Sequence, residues 1–170
     1  MRLVIVTGLY GAGKSTAMKM LEDAQYFCVD NPPIQLVGKF VSLMSANQGE
    51  DIQNAAIGLD VRSGRYLEGL EEVLDQLKEM GYKFEILFLD ADDHTLVKRY
   101  KETRRSHPLA MAGRVDEGIR EERKRLNFLK ERADYIIDTT HLLTRELKKE
   151  LDKIFVENGK FDNMMISVLS

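Results

Sequence analysis

The chain has 170 residues, of which 44% are apolar and 31% charged, with a formal net charge of −3. That length allows one domain with a full core, the single cysteine excludes a disulfide framework, and the overall charge gives no support for nucleic-acid binding. The longest apolar runs are far too short to span a bilayer and no signal peptide precedes the first strand, so a cytoplasmic protein is expected.

The first element, over residues 2–7, is a buried strand: Leu3-Val4-Ile5-Val6-Thr7 is apolar and β-branched. Gly8-Leu9-Tyr10-Gly11-Ala12-Gly13-Lys14-Ser15 follows at once and fits the phosphate-loop pattern G-x-x-x-x-G-K-[ST]. Thr16 opens a good helix-forming stretch, and a helix is expected over 14–24. Strand, glycine loop and helix stand in the order such a loop needs. Gly8, Gly11 and Gly13 allow backbone conformations that a Cβ forbids. The loop N–H groups then turn inward around a triphosphate at the positive end of the helix. Lys14, expected to face solvent without ligand, would set its ammonium against the β- and γ-phosphates, and Ser15 would offer its hydroxyl to Mg²⁺.

A second strand is expected over 26–30, ending in Asp30, with Cys28 as a core thiol rather than a nucleophile. A helix over 33–46 precedes a third strand over 54–60, which ends in Asp60 and runs into Val61-Arg62-Ser63. A helix over 65–80 leads to a fourth strand over 83–89, closed by Asp90. Asp90-Ala91-Asp92-Asp93 reads as the N-terminus of the next helix, over 93–105. Around its end Arg99, Arg104, Arg105 and Arg114 gather dense positive charge. Arginine forks suit phosphate oxygens, and one carried on a mobile lid can stabilise transition-state charge. A solvated helix face is the bland alternative; the loop broken by Pro108 favours the lid. The helix over 115–133 has Glu122 within its apolar stripe and Arg123 on the border. Either the two form a structural salt bridge or Arg123 points into the phosphate site. Strand 135–138 and helix 143–157 complete the series. After Glu157-Asn158-Gly159-Lys160, the run from Met164 to Leu169 looks like the start of another strand. The domain is accordingly expected over 1–158, with 159–170 as a linker and the start of a C-terminal domain missing from this chain; an added edge strand is the equal alternative. His94, His107 and His141 lack ligand spacing, so no zinc site is expected.

Apolar strands alternating with helices predict a parallel sheet covered on both faces, with the ligand beyond the carboxyl ends of its strands. A phosphate loop needs a second carboxylate near Mg²⁺, and Asp60 and Asp90 compete for that place. In nucleoside monophosphate kinases the strand beside the loop strand ends in a similar Asp-x-x-x-Arg element, and by that analogy Asp60 is preferred.

Taken together, the residues resemble the N-terminal half of the RapZ/YvcJ family of P-loop nucleotide-binding proteins. The matching segments are 8–16, Leu21-Glu22-Asp23, Tyr26 to Asn31, Asp60-Val61-Arg62, Leu87 to Asp92, Arg99-Tyr100, Thr103-Arg104-Arg105-x-His107-Pro108-Leu109, and Ala133-Asp134-x-x-Ile137-Asp138-Thr139. The resemblance implies ATP and GTP binding with weak hydrolysis, and a GTP-contacting role for Asp60-Val61-Arg62-Ser63. It also implies that RNA and amino-sugar phosphate belong largely to a C-terminal domain, so RNA is not expected as a partner of this chain. The family has a small residue where Tyr10 stands, and Asp-Asn-Leu-Pro where this chain reads Asp30-Asn31-Pro32-Pro33.

The expected fold is α/β: a P-loop NTPase, a kinase-like three-layer sandwich whose five-stranded parallel sheet is ordered 2-3-1-4-5. The expected function is a weak ATPase or GTPase acting as a regulatory nucleotide-binding domain. Gly8, Leu9, Tyr10, Gly11, Ala12, Gly13, Lys14, Ser15, Thr16, Asp60, Val61, Arg62 and Ser63 would hold the nucleotide. Ser15 and Asp60 would serve the metal, and Lys14, Asp60, Arg104 and Arg105 would carry catalysis. No residue stands out as a base for water, which accords with slow turnover, and no Asn-Lys-x-Asp signature selects guanine. One alternative is a small-molecule phosphotransferase in which Asp30 orients an acceptor hydroxyl. Another is an RNA-binding adapter that uses the arginine segment, disfavoured because Tyr100 is the only aromatic residue among the basic ones.

Overall fold

The first apolar run forms β1 (Arg2–Gly8), the central strand of the sheet. In the computed structural model, residues 2–46, 54–60, 64–103 and 115–157 are described, with only the backbone of 46, 64–67, 103 and 157. The other strands are β2 (Phe27–Asp30), β3 (Asn54–Gly58), β4 (Glu85–Asp90) and β5 (Tyr135–Asp138). They lie in the order β2-β3-β1-β4-β5, and every neighbouring pair is parallel. The predicted order 2-3-1-4-5 is the observed one. Leu3, Val4, Ile5 and Val6 are all fully buried, so both faces of β1 are covered, as a parallel sheet requires.

The helices are α1 (Lys14–Asp23), α2 (Ile34–Ala46), α3 (Gly64–Glu79), α4 (Asp93–Thr103), α5 (Val115–Arg132) and α6 (Thr144–Leu151). The last predicted helix differs in kind: after Leu151 it widens into a π-helical stretch, Asp152–Glu157. There Phe155 meets Tyr26 and Tyr135 edge-on, and its carbonyl accepts from the Tyr26 hydroxyl at 2.8 Å. The Arg2 guanidinium lies over the same ring at 5.0 Å, paired with Glu85. This cluster fastens the chain's last described turn to the amino ends of β1 and β4, away from the strand ends that matter for ligands. The segment 159–170, for which a linker is expected, lies outside the described residues.

Two strands end earlier or later than the sequence predicts. β3 stops at Gly58, although Leu59 N–H still donates to the Val6 carbonyl at 2.9 Å, and Asp60 stands just beyond. β4 runs on to include Asp90, because Thr139 N–H donates to the Asp90 carbonyl at 2.8 Å and extends the pairing with β5.

Gly8, Gly11 and Gly13 all adopt positive φ, at 149°, 88° and 110°. Gly8 is the most constrained, because a Cβ there would lie 2.3 Å from the Leu89 carbonyl oxygen. The end of β1 can approach β4 only without a side chain. Gly8→Ala should therefore destabilise the fold by about 3 kcal/mol, since backbone rather than a flexible side chain would have to move. Urea unfolding of the variant against wild type checks this.

Candidate functional site

The chain leaves β1 at Gly8 and returns as α1 at Lys14, so the glycine loop sits at the carboxyl end of the central strand. The start of α1 has no side-chain cap and no acidic residue in its first turn, leaving its positive end to an anion. Ser15 and Thr16 are exposed there. Leu9 and Ala12 are buried, and Ala12 N–H donates back to the Leu9 carbonyl at 2.9 Å to close the turn.

Side chains from the second half of the chain fix this loop from outside. The Thr139 hydroxyl donates to the Ala12 carbonyl at 2.7 Å. Arg99 donates to the Gly11 carbonyl at 3.1 Å, to Thr139 Oγ1 at 2.9 Å and to the Thr139 carbonyl at 2.7 Å. With those carbonyls held outward, loop N–H groups are left for a ligand. Three are already taken within the protein: Leu9 N–H by the Leu89 carbonyl at 3.1 Å, Ala12 N–H by the Leu9 carbonyl, and Tyr10 N–H by both oxygens of Glu122, each at 3.0 Å. Glu122 is 2% exposed.

These contacts change two sequence readings. Arg99, grouped by sequence with the lid arginines, instead braces the loop. The proposed Glu122–Arg123 bridge is replaced by two separate attachments. Arg123 donates to Asp93 at 2.6 Å, to Asp90 at 3.0 Å and to the Ala91 carbonyl at 2.5 Å, while Glu122 turns to the loop. Thr139 and Asn31 entered the sequence reading only through the family resemblance. For Glu122 the signal was visible: a carboxylate within an apolar helix stripe has to find a buried partner.

Lys14 does not face solvent. It is buried, and its ammonium is ion-paired with Asp60 and with Asp30, the latter at 3.3 Å. The Asp30 and Asp60 side chains remain 55% and 40% exposed. Asn31 holds Asp60 from both sides: its Nδ2 donates to Asp60 Oδ2, and its Oδ1 accepts from Asp60 N–H at 2.8 Å. This places an ammonium, two accessible carboxylates and the loop together at the ends of β1, β2 and β3. Mg²⁺ takes one or two protein oxygens and completes its shell with water and phosphate oxygens. The Ser15 hydroxyl and the Asp60 carboxylate are donors of that kind. Among the described residues no group of three His, Cys, Asp or Glu could hold a metal.

Asp90, the rival carboxylate, has different surroundings. It is buried, and it accepts from Lys130 at 2.9 Å, from Arg123 at 3.0 Å and from Ala91 N–H at 2.7 Å. Burial alone would raise its pKa, but the Lys130 hydrogen bond and the Arg123 charge outweigh that and hold its carboxyl below the usual carboxylate range. The helix start expected nearby is formed by Asp92, whose carboxylate accepts from Thr95 N–H at 2.7 Å. Cys28 is half-buried, and burial, with Glu22 and Asp30 nearby, pushes its thiol up to about 11, far from a reactive thiolate. Val61, Arg62, Ser63, Arg104, Arg105 and Arg114 lie outside the described residues. No helix of the described residues is long and apolar enough to cross a membrane.

A family model described as the RapZ-like N-terminal domain matches residues 1–159. A nucleotide-binding protein of Lachnoclostridium phytofermentans is 59% identical over 170 residues, 100% of this chain and 59% of that protein. The chain thus spans about three fifths of the length of the curated relatives it matches. Among solved structures, shikimate kinase from Acinetobacter baumannii in complex with shikimate superposes with a TM-score of 0.60 at 16% identity, over 93% of this chain and 94% of that one. Deoxyadenosine kinase from M. mycoides with bound dATP superposes with a TM-score of 0.51 at 14% identity, over 91% and 99%. The fold is that of the P-loop kinases, as the sequence predicts.

Asp90→Asn would remove the charge that Lys130 and Arg123 face. Their partial exposure discounts the loss to about 1–3 kcal/mol. Because the folded carboxyl titrates low, this stability is fully present above the unfolded aspartate value of about 3.9 and disappears as pH falls through the lower folded value. Urea midpoints of variant and wild type should differ at neutral pH and converge in acid.

Proposed function

The chain belongs to the RapZ-like N-terminal domain family, and from that premise we propose that it binds ATP or GTP with Mg²⁺ and hydrolyses it slowly. The observation that carries this reading is the Lys14 ammonium, buried at the end of the glycine loop and paired with carboxylates at the ends of two other strands. A triphosphate entering the loop would replace those carboxylates as the partner of Lys14. Asp60 would then be released toward Mg²⁺, with Ser15 as the second protein oxygen, and the ion would neutralise charge on the phosphates. Loop residues 8–16 would line the phosphates, with N–H groups supplied by those other than Leu9, Tyr10 and Ala12, whose N–H groups are bonded within the protein, and Val61, Arg62 and Ser63 would contact the nucleotide beside Asp60. Arg104 and Arg105 would act from a lid on the transferring phosphoryl group. The relative from Lachnoclostridium phytofermentans, a nucleotide-binding protein by name, and the dATP bound in the structural neighbour support a nucleotide as the ligand class.

Asp60 rather than Asp90 is our choice for the metal. Lys130 and Arg123 already neutralise Asp90 in a structural role. Asp60 is accessible, and its ammonium partner is the one a phosphate would claim.

Lys14→Ala should weaken binding of a fluorescent nucleotide analogue by about 100-fold or more, the loss of a charge-assisted contact of a few kcal/mol. The fold should persist by circular dichroism, because Asp30 and Asp60 are both solvated. Unchanged affinity would remove the phosphate-loop reading. In the double variant Arg104→Ala with Arg105→Ala, turnover should fall far more than nucleotide affinity, as expected of contacts made only in the transition state. Retained turnover, with loss of RNA binding at a shallower salt slope, would instead mark the segment as an RNA contact.

A further inference from the structure

α3 closes on a left-handed glycine. Gly81 takes φ 87°, its N–H donates to the Lys78 carbonyl at 3.1 Å, and Tyr82 N–H donates to the Leu77 carbonyl at 3.0 Å. The turn sends Tyr82-Lys83-Phe84 toward the start of β4. On the neighbouring strand α5 closes on Arg132, and Asp134 leads into β5. Asp134 ties the two strand starts together: its carboxylate accepts from Ile86 N–H at 2.8 Å, and its own N–H donates to the Ile86 carbonyl at 2.9 Å.

These two turns enclose a cavity of about 450 Å³, lined among others by Lys78, Tyr82, Lys83, Phe84, Arg132 and Asp134. Small-molecule sites usually measure about 300–1,000 Å³. The cavity lies at the amino end of β4. The whole strand separates it from the glycine loop, which meets Leu89 at the other end.

Its polar groups are largely uncommitted. Lys78, Lys83 and the Tyr82 hydroxyl have no ion pair or hydrogen bond among the described residues. Arg132 donates to Asp75 at 3.0 Å through one nitrogen, which leaves the rest of its fork. Asp134 is the one carboxylate in the lining, and it already serves Ile86 N–H. Lys78 and Arg132 stand in the last turns of α3 and α5, where a cation complements a helix's negative end. That accounts for each alone, but not for two such helices ending on one cavity with Lys83 in the same lining. Tyr82 and Phe84 are half-buried against the core and give the cavity its aromatic wall.

We propose that this cavity is a second ligand site, for a nucleoside phosphate. The phosphate would meet Lys78, Lys83 and the free side of the Arg132 guanidinium. The base would lie against Tyr82 and Phe84, as bases lie on aromatic side chains generally. Inorganic phosphate would leave the rings uncovered, and a nucleoside would leave the cations unpaired. A ligand with both parts satisfies both. The site does not depend on a triphosphate in the glycine loop.

The test titrates AMP, adenosine and inorganic phosphate by calorimetry into protein carrying Lys14→Ala, whose glycine loop has lost its ammonium. The same ligands are titrated into that protein with Lys78→Glu and Lys83→Glu added. Both lysines are exposed and unpaired, so the charge reversal should leave the urea midpoint in place. AMP should bind the first protein about tenfold more tightly than phosphate or adenosine, and the reversal should weaken it about 100-fold, tenfold for each charge-assisted contact. Absence of AMP binding by the first protein would overturn the proposal. So would an AMP affinity that the reversal leaves unchanged. Phosphate binding as tightly as AMP would overturn it too, by reducing the cavity to a general anion surface, and adenosine binding as tightly as AMP would show that the cations play no part.

Discussion

A glycine-rich loop gives up more backbone freedom on ordering than any other kind of chain, so it has to be held by something else. Here Thr139 and Arg99 take the Ala12 and Gly11 carbonyls, and Glu122 takes the Tyr10 N–H. The three side chains come from the turn after β5, from α4 and from α5, all far away in sequence. The shape of the loop is therefore a tertiary property, and the geometry of any phosphate site there depends on the packing of the second half of the chain.

The same dependence explains why Asp90 is loaded with cations. Arg123 and Lys130 tie α5 to the end of β4, and Arg123 also reaches Asp93 at the start of α4. Glu122, next in sequence to Arg123, meets Tyr10 from the same helix. An ion pair with half-exposed partners contributes modestly to stability on its own. Its larger consequence is alignment, since one helix supplies both the anchor and the loop contact.

Much of this was legible in the sequence, and for a physical reason. Buried parallel strands must be apolar on both faces, so Leu3 to Val6 and Ile86 to Leu89 announce themselves. The glycine spacing announces the loop, and the likeness to nucleoside monophosphate kinases puts the third strand beside the loop strand, as observed. What escaped was contact between distant polar groups. Arg99 reads as one more cation in a basic run, and nothing local tells it from its neighbours; only the fold aims it at Gly11. Lys14 read as solvent-facing because the ligand-free partners of a phosphate-loop lysine lie on other strands. Glu122 could be seen as misplaced in an apolar stripe, but Tyr10 could not be named as its partner from periodicity.

The sheet divides its polar strand ends by task. On one side of β1, β4 and β5 end in groups that are satisfied within the protein: Asp90 by cations, the Asp90 carbonyl by Thr139, and the loop carbonyls by Arg99 and Thr139. On the other side, β2 and β3 end in Asp30 and Asp60, which are solvated and share a single ammonium. Two anions on one buried cation leave one negative charge in excess, so a triphosphate entering the loop depends on the charge of an accompanying divalent cation to offset the repulsion. The two halves thus differ in what a ligand can change. Displacing Asp90 would unfasten α5, whereas displacing Asp30 or Asp60 from Lys14 costs only contacts that water and a bound ion can replace. Chemistry that requires groups to exchange partners belongs on the β2–β3 side for that reason.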